Sequence, residues 1–268
     1  MRYKITLSYC GAGFHGWQIQ PSASSVQQTL AEALSTLLRA PVSLTGAGRT
    51  DTGVNAIGYV AHFDAAEGLD TALLQCKLNA ITPHSITVHG IVPAADGFHA
   101  RFDALQREYT YYLHRVKDPF AEHHSYLCAY PEMDFGKMNA AASMLLGTHD
   151  FRCFEKTGAD SKTSICTVSY AEWHSYEPCL PVFRRRGPDS LPLPDYWYFR
   201  IRADRFLRNM VRAVVGTLVE VGRGKRSIDG FASLILEPGS SEERGTLRSL
   251  AGESVPGHAL FLSGIDYE

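Results

Sequence analysis

The sequence has no unbroken apolar run of the roughly eighteen residues that a membrane-spanning helix needs, so none is expected. Its opening, Met1 to Tyr9, alternates polar and apolar residues in place of the apolar stretch of a secretory signal. A cytoplasmic location is the expectation. No Cys-x-x-Cys pair occurs among the six cysteines (Cys10, Cys76, Cys128, Cys153, Cys166, Cys179), which excludes a zinc ribbon and a thioredoxin-type motif. They read as reduced, mostly buried thiols. An excess of either charge is also missing: Lys+Arg 26 stand against Asp+Glu 28, a net of -2. A nucleic-acid binder of this composition must depend on local clustering of its cations.

Several catalytic signatures are absent as well. No Gly-Lys-Ser/Thr occurs, so there is no P-loop. The chain lacks His-Glu-x-x-His, the zinc-deaminase signature and Gly-x-Ser-x-Gly. No metal site and no cofactor are expected.

What is present is an ordinary globular composition over 268 residues, 45% of them hydrophobic. Periodicity predicts strands at Tyr3 to Tyr9, Val42 to Ala47, Ala56 to Phe63 and Ile86 to Val92. Helices are predicted from an N-cap at Ser24-Ser25 to before Pro41, and over Thr71 to Ile81. Further on, strands are predicted at Glu108 to Val116, Thr167 to His174, Tyr196 to Ala203 and Leu260 to Asp266. Helices are predicted at Phe135 to Leu146, Met210 to Val221 and Ile228 to Leu236. Tyr176 to Pro194, with five prolines and Arg184, Arg185 and Arg186, reads as a loop. The order predicts an α+β fold in two similar RRM/ferredoxin-like halves, 1–105 and 106–268, with helices on one face of each antiparallel sheet.

Three segments carry candidate chemistry. Gly46-Ala47-Gly48-Arg49-Thr50-Asp51-Thr52-Gly53 holds an arginine and a carboxylate two residues apart among three glycines. By composition alone this is as well read as a tight turn. It is not a dinucleotide fingerprint, because β-type residues follow it in place of a helix. Arg107-Glu108-Tyr109-Thr110-Tyr111 puts Tyr109 and Tyr111 on one strand face, a pattern that packing alone also explains. Arg208 and Arg212 lie four apart on one helical face. Between Arg200 and Arg226 eight basic residues (Arg200, Arg202, Arg205, Arg208, Arg212, Arg223, Lys225, Arg226) face only Asp204 and Glu220. Such a run is commonly just a solvated face.

At these segments the chain resembles the TruA family of tRNA pseudouridine synthases (tRNA pseudouridine synthase A). The family's Gly-Arg-Thr-Asp-Ala-Gly-Val-His-Ala loop stands here as Gly48 to Ala56, and its Phe-His-Ala-Arg-Phe as Phe98 to Phe102. Its Arg-x-Tyr-x-Tyr is Arg107 to Tyr111, and its Met-Val-Arg-Asn-x-Val-Gly is Met210 to Gly216. Its opening Tyr-x-Gly-x-x-Phe-x-Gly-Trp-Gln is Tyr9 to Gln18. Thr52, Asn55 and Ala213 replace the usual Ala, His and Asn, and leave Arg49-Thr50-Asp51 intact.

The resemblance implies an isomerase that converts uridine to pseudouridine at positions 38, 39 and 40 of the tRNA anticodon stem-loop. It makes Asp51 the nucleophile or general base that starts cleavage of the C1′–N1 bond, with Arg212 as its cation. Tyr109 stacks on the detached uracil and helps remove the C5 proton. Arg49 holds the base out of the stack and Leu260 walls the uracil pocket. Arg107 and Arg208 join the substrate-binding set. The resemblance also implies a cleft between the halves, a homodimer and tRNA as partner. A non-catalytic RRM-type binder is the rival reading, but the RNP1 pattern is missing.

Overall fold

The computed structural model describes residues 1–158, 161–178, 195–239 and 247–267. In chain order it begins β1 (Arg2–Tyr9), α1 (Val26–Leu38), β2 (Leu44–Gly46), β3 (Asn55–Asp64), α2 (Thr71–Ile81) and β4 (Ile86–Ala94). It continues through β5 (Gln106–His114), β6 (Tyr126–Leu127), α3 (Phe135–Ala142), β7 (Gly147–Asp150), β8 (Ile165–Ser175) and β9 (Tyr196–Ala203). The last elements are α4 (Met210–Gly222), α5 (Ile228–Ala232) and β10 (Leu260–Asp266). This is a mixed α+β protein with mostly antiparallel pairing. Among the described residues no helix is long and apolar enough to cross a membrane.

Two compact units emerge: Met1–Glu108 with Phe261–Glu268, and Tyr109–Leu260. In the first, β1 alternates half-buried and buried positions, sending Tyr3, Ile5, Leu7 and Tyr9 inward. It lies between β4 and β3, antiparallel to both. β2 pairs antiparallel with β3, and β10 runs parallel to it. Both helices start on side-chain caps: Ser25 accepts the Gln28 N–H and Asp70 the Leu73 N–H. Helix α1 buries Val26, Leu30 and Leu34, while α2 buries Leu74 and Leu78. Arg39 ends α1 in the left-handed region at φ 52, before Pro41.

In the second unit β5, β9, β8 and β7 are neighbours in that order. The β8–β9 and β7–β8 pairings are antiparallel, and β6 runs parallel to β5. Phe135 at the start of α3 stacks on Trp197 of β9 at 3.7 Å between ring centroids. Helix α4 is buried nearly all round, with only Arg212 and Glu220 half-buried. Such a helix belongs to a core, and its composition, Met-Val-Arg-Ala-Val-Val-Gly-Thr-Leu-Val, shows it.

Some elements differ from their sequence-based expectation. The helix expected to Leu146 stops at Ala142 and tightens into a 3-10 turn over Ser143–Leu145. The helix expected to Leu236 stops at Ala232, because Leu236 exchanges backbone hydrogen bonds with Asp150. Strands β6 and β7 are too short for periodicity to reveal. The expected loop from Tyr176 to Pro194 lies from residue 179 onward, with Arg184, Arg185, Arg186 and Cys179, outside the described residues.

Candidate functional site

The Gly46 to Gly53 loop leaves β2 and returns to β3, and it is fixed at its middle residue. Thr50 is buried: its hydroxyl meets Tyr9 Oη at 2.9 Å and its carbonyl accepts the Trp17 N–H at 3.3 Å. Two residues earlier, Tyr59 Oη donates to the Gly48 carbonyl and accepts the Gly48 N–H at 3.3 Å. Tyr9, Trp17 and Tyr59 themselves form one aromatic cluster, Trp17 and Tyr59 lying 4.2 Å apart. Glycine is required around it. A Cβ on Gly46 would enter the Tyr59 hydroxyl and the Trp17 ring, and Gly16, at φ +89, lets its backbone close on the Thr50 carbonyl.

With Thr50 turned inward, its neighbours occupy the outer side: Arg49 is exposed and Asp51 half-buried. The Asp51 carbonyl accepts the Val54 N–H at 3.1 Å, closing the turn, and Gly53 takes φ +77. Asn55 is buried, and its Oδ1 accepts the Gly11 N–H at 2.8 Å, tying the loop's exit to the end of β1.

Arg107 reaches the same loop from β5. Its guanidinium donates to the carbonyls of Ala47 at 3.3 Å and Ala104 at 2.6 Å, and also to that of Arg101. These bonds are between groups of the chain itself, so Arg107 acts here as a strut under the loop that bears Arg49 and Asp51.

In the second unit the expected residues lie on β5, on α4 and in flanking segments. Arg208 precedes α4, which starts at Met210, so the expected helical face shared with Arg212 is not formed. Half-buried Tyr109 sets its ring edge against Phe206 at 5.0 Å and 88°. Tyr111 is fully buried and donates to the Pro256 carbonyl at 3.2 Å, and burial pushes its phenol far up from its ordinary range. Of the two tyrosines on that face only Tyr109 therefore keeps partial access. Arg212 is half-buried, and its Nε donates to the Val255 carbonyl at 2.8 Å. Arg208 is exposed and Leu260 buried.

The segment 252–255 is clamped to α4. The Thr217 hydroxyl donates to the Ala213 carbonyl at 2.7 Å and accepts the Gly252 N–H at 3.0 Å. A Cβ on Gly216 would collide with the Glu253 carbonyl.

The basic surplus between Arg200 and Arg226 is not a single solvated run. Arg226 pairs with Glu220 at 2.9 Å and donates to the Gly230 and Leu250 carbonyls. Arg223 lies over the Tyr130 ring at 3.4 Å, and Arg200 over Tyr170 at 4.7 Å. The thiols of Cys128 and Cys166 are buried and pushed up by that burial, to about 11 and about 12. Among the described residues no group of three or more His, Cys, Asp or Glu is arranged to hold a metal ion.

Sequence reasoning left Tyr59 and Arg107's carbonyl contacts unread. Tyr59 looks like any core residue of β3, and its only signal is a hydroxyl on a side chain that must be buried, which demands a partner.

A family model described as tRNA pseudouridine synthase matches residues 141–268. The tRNA pseudouridine synthase A of Bacteroides thetaiotaomicron is 47% identical over 266 residues, covering 99% of this chain and 90% of the relative. That of Parabacteroides distasonis is 46% identical over 268 residues, covering 99% and 96%. The Bacillus subtilis protein of the same name is 35% identical over 272 residues, covering both chains completely.

Proposed function

Since the chain belongs to the tRNA pseudouridine synthase A family, we propose that it isomerises uridines 38, 39 and 40 in the anticodon stem-loop of tRNA, using Asp51. At the coarser level it is a tRNA-modifying isomerase that forms pseudouridine. The reaction breaks C1′–N1, turns the uracil, joins C5 to C1′ and releases the C5 proton. N1 takes up a proton in exchange for the one that C5 loses, so the product is an isomer of the substrate and no step needs a redox partner or an activated nucleotide.

The observation that supports this reading is the Arg49-Thr50-Asp51 loop. Thr50 is pinned by the Tyr9 hydroxyl and the Trp17 N–H, and Gly48 by the Tyr59 hydroxyl, so the backbone that carries Asp51 is held before substrate arrives. A carboxylate held in advance spends little of the binding energy on ordering itself. Arg49, exposed beside it, is placed to meet the extruded nucleotide or its phosphates. Tyr109 then stacks on uracil and takes part in C5 proton removal, Arg212 supplies the cation, and Leu260, Arg107 and Arg208 complete the substrate set. For Arg107 the role favoured by its bonds is to hold the loop.

The order β4-β1-β3 with β2 on β3 supports an RRM/ferredoxin-like first half. The active form in this reading is a cytoplasmic homodimer with tRNA as its macromolecular substrate. The test is tritium release from C5-labelled uridine in an unmodified tRNA transcript, followed by mass mapping. Release confined to positions 38–40 is expected. Modification only elsewhere in the tRNA would overturn the assigned positions.

A further inference from the structure

We propose that the 98–105 turn is a stacking platform for a nucleobase of the RNA, with Phe102 as the stacking ring and Arg101 as the adjoining phosphate contact. This rests on tRNA being the substrate, as proposed above. A solitary exposed phenylalanine needs no explanation. Phe102 is different because the ring is exposed by 74% and yet prepared.

One side of that ring is covered by the His99 imidazole, stacked at 4.2 Å and 29°. His99 is itself held: its Nδ1 accepts the N–H groups of Arg101 and Phe102, each at 3.2 Å. Its own backbone N–H donates to Asp103 Oδ2 at 2.8 Å, which directs that carboxylate back to the turn. Ala100, between them, is fully buried. Its N–H donates to His62 Nδ1 at 3.1 Å and its carbonyl accepts Tyr267 Oη at 2.6 Å. The turn is therefore rigid, and an aromatic ring on a rigid base loses little entropy when a base stacks on it.

Charge points to the same occupant. Arg101 is exposed, with its guanidinium carbon 5.7 Å from the Phe102 centroid. An aromatic face beside a guanidinium is the combination that holds a base and its phosphate without reading sequence. The connection to the chemistry is Arg107, whose guanidinium holds the Arg101 and Ala104 carbonyls and the Ala47 carbonyl together. One side chain thus ties the platform to the loop that carries Arg49 and Asp51. A nucleotide near the target uridine would seat on Phe102.

The experiment compares the full-length protein with Phe102→Ala and Phe102→Trp. Affinity for an unmodified tRNA transcript, KM and kcat by tritium release, and particle mass by sedimentation are all read. Stacking on one base predicts that Phe102→Ala raises Kd and KM at least about fivefold, with kcat at saturating tRNA within about twofold and Phe102→Trp near wild type. Unchanged Kd and KM in Phe102→Ala would overturn the platform. So would a halved particle mass in that variant, which would make Phe102 a contact between copies of the chain. If the wild type binds tRNA through Phe102 but releases no tritium, the platform stands and the proposed reaction fails.

Discussion

Asp51, the proposed nucleophile or base, shows how little of a residue's setting lies in the residue itself. Its neighbours are fixed by a threonine hydroxyl, two tyrosine hydroxyls and a tryptophan N–H, each contact a modest hydrogen bond of about 1 kcal/mol. Together they hold the backbone on which the carboxylate is carried. Asp51→Asn keeps the shape and loses the charge and the lone pairs needed for attack or proton transfer. Tritium release by this variant should be abolished, while tRNA affinity stays within about tenfold, ~1.4 kcal/mol. Turnover above a few per cent of wild type in a single-turnover assay would remove Asp51 from the chemistry.

At the scale of elements, α4 depends on a close approach of backbone to backbone. Replacing glycine by alanine inside a helix ordinarily stabilises by about 1 kcal/mol. At Gly216 the added methyl would enter the Glu253 carbonyl, and overpacking of that kind costs about 1–3 kcal/mol. The collision should win: Gly216→Ala is expected to lower Tm. It should also lower activity, because the displaced segment includes the Val255 carbonyl that holds Arg212. A raised Tm would show that the segment yields freely.

The end of β7 gives a prediction in pH. Burial acts to raise the Asp150 carboxyl, but the Arg152 guanidinium, the Ser164 hydroxyl and the Arg152 N–H outweigh it and hold the group below its ordinary value. A carboxyl with a depressed folded value contributes stability that is complete above about pH 3.9 and is lost as pH falls through the folded value. Asp150→Asn should cost on the order of 3 kcal/mol at pH 7, because Arg152 is left half of a buried pair. Its stability should also fall less than that of wild type between pH 4 and pH 2. Parallel pH profiles in urea unfolding would contradict this origin.

For the whole molecule, the net charge of -2 means that a polyanionic substrate must be held by local cations. Within the 200–226 run Arg223, Arg226 and Arg200 already serve Tyr130, Glu220 and Tyr170. That shifts the expectation toward exposed Arg49, Arg101 and Arg208 and toward Arg184, Arg185 and Arg186. Replacing those last three together by alanine should weaken tRNA binding and reduce the slope of log affinity against log salt by ~1–3. Turnover at saturating tRNA should be nearly unchanged. Identical slopes for the two proteins would place the three arginines outside the path of the RNA.

By itself the sequence determined the long, strongly periodic elements. The helix at Thr71–Ile81 and the strands at Tyr196–Ala203 and Leu260–Asp266 stand where alternation, helical spacing and capping residues put them. Local physics is enough there, because the cap, the period and the burial pattern all lie within one segment. It also marked Arg49-Thr50-Asp51, since glycines flanking a charged pair are visible in any reading. Only the tertiary structure decided what those residues do for one another. Whether Arg107 faces solvent or carbonyls depends on Ala47, 60 positions away, and the Tyr59 hydroxyl acquires its purpose only when Gly48 folds over it. β10, last in the chain, runs beside β3 in the first unit. Such pairings bring together groups far apart in sequence, and no periodicity within a segment encodes its distant partner.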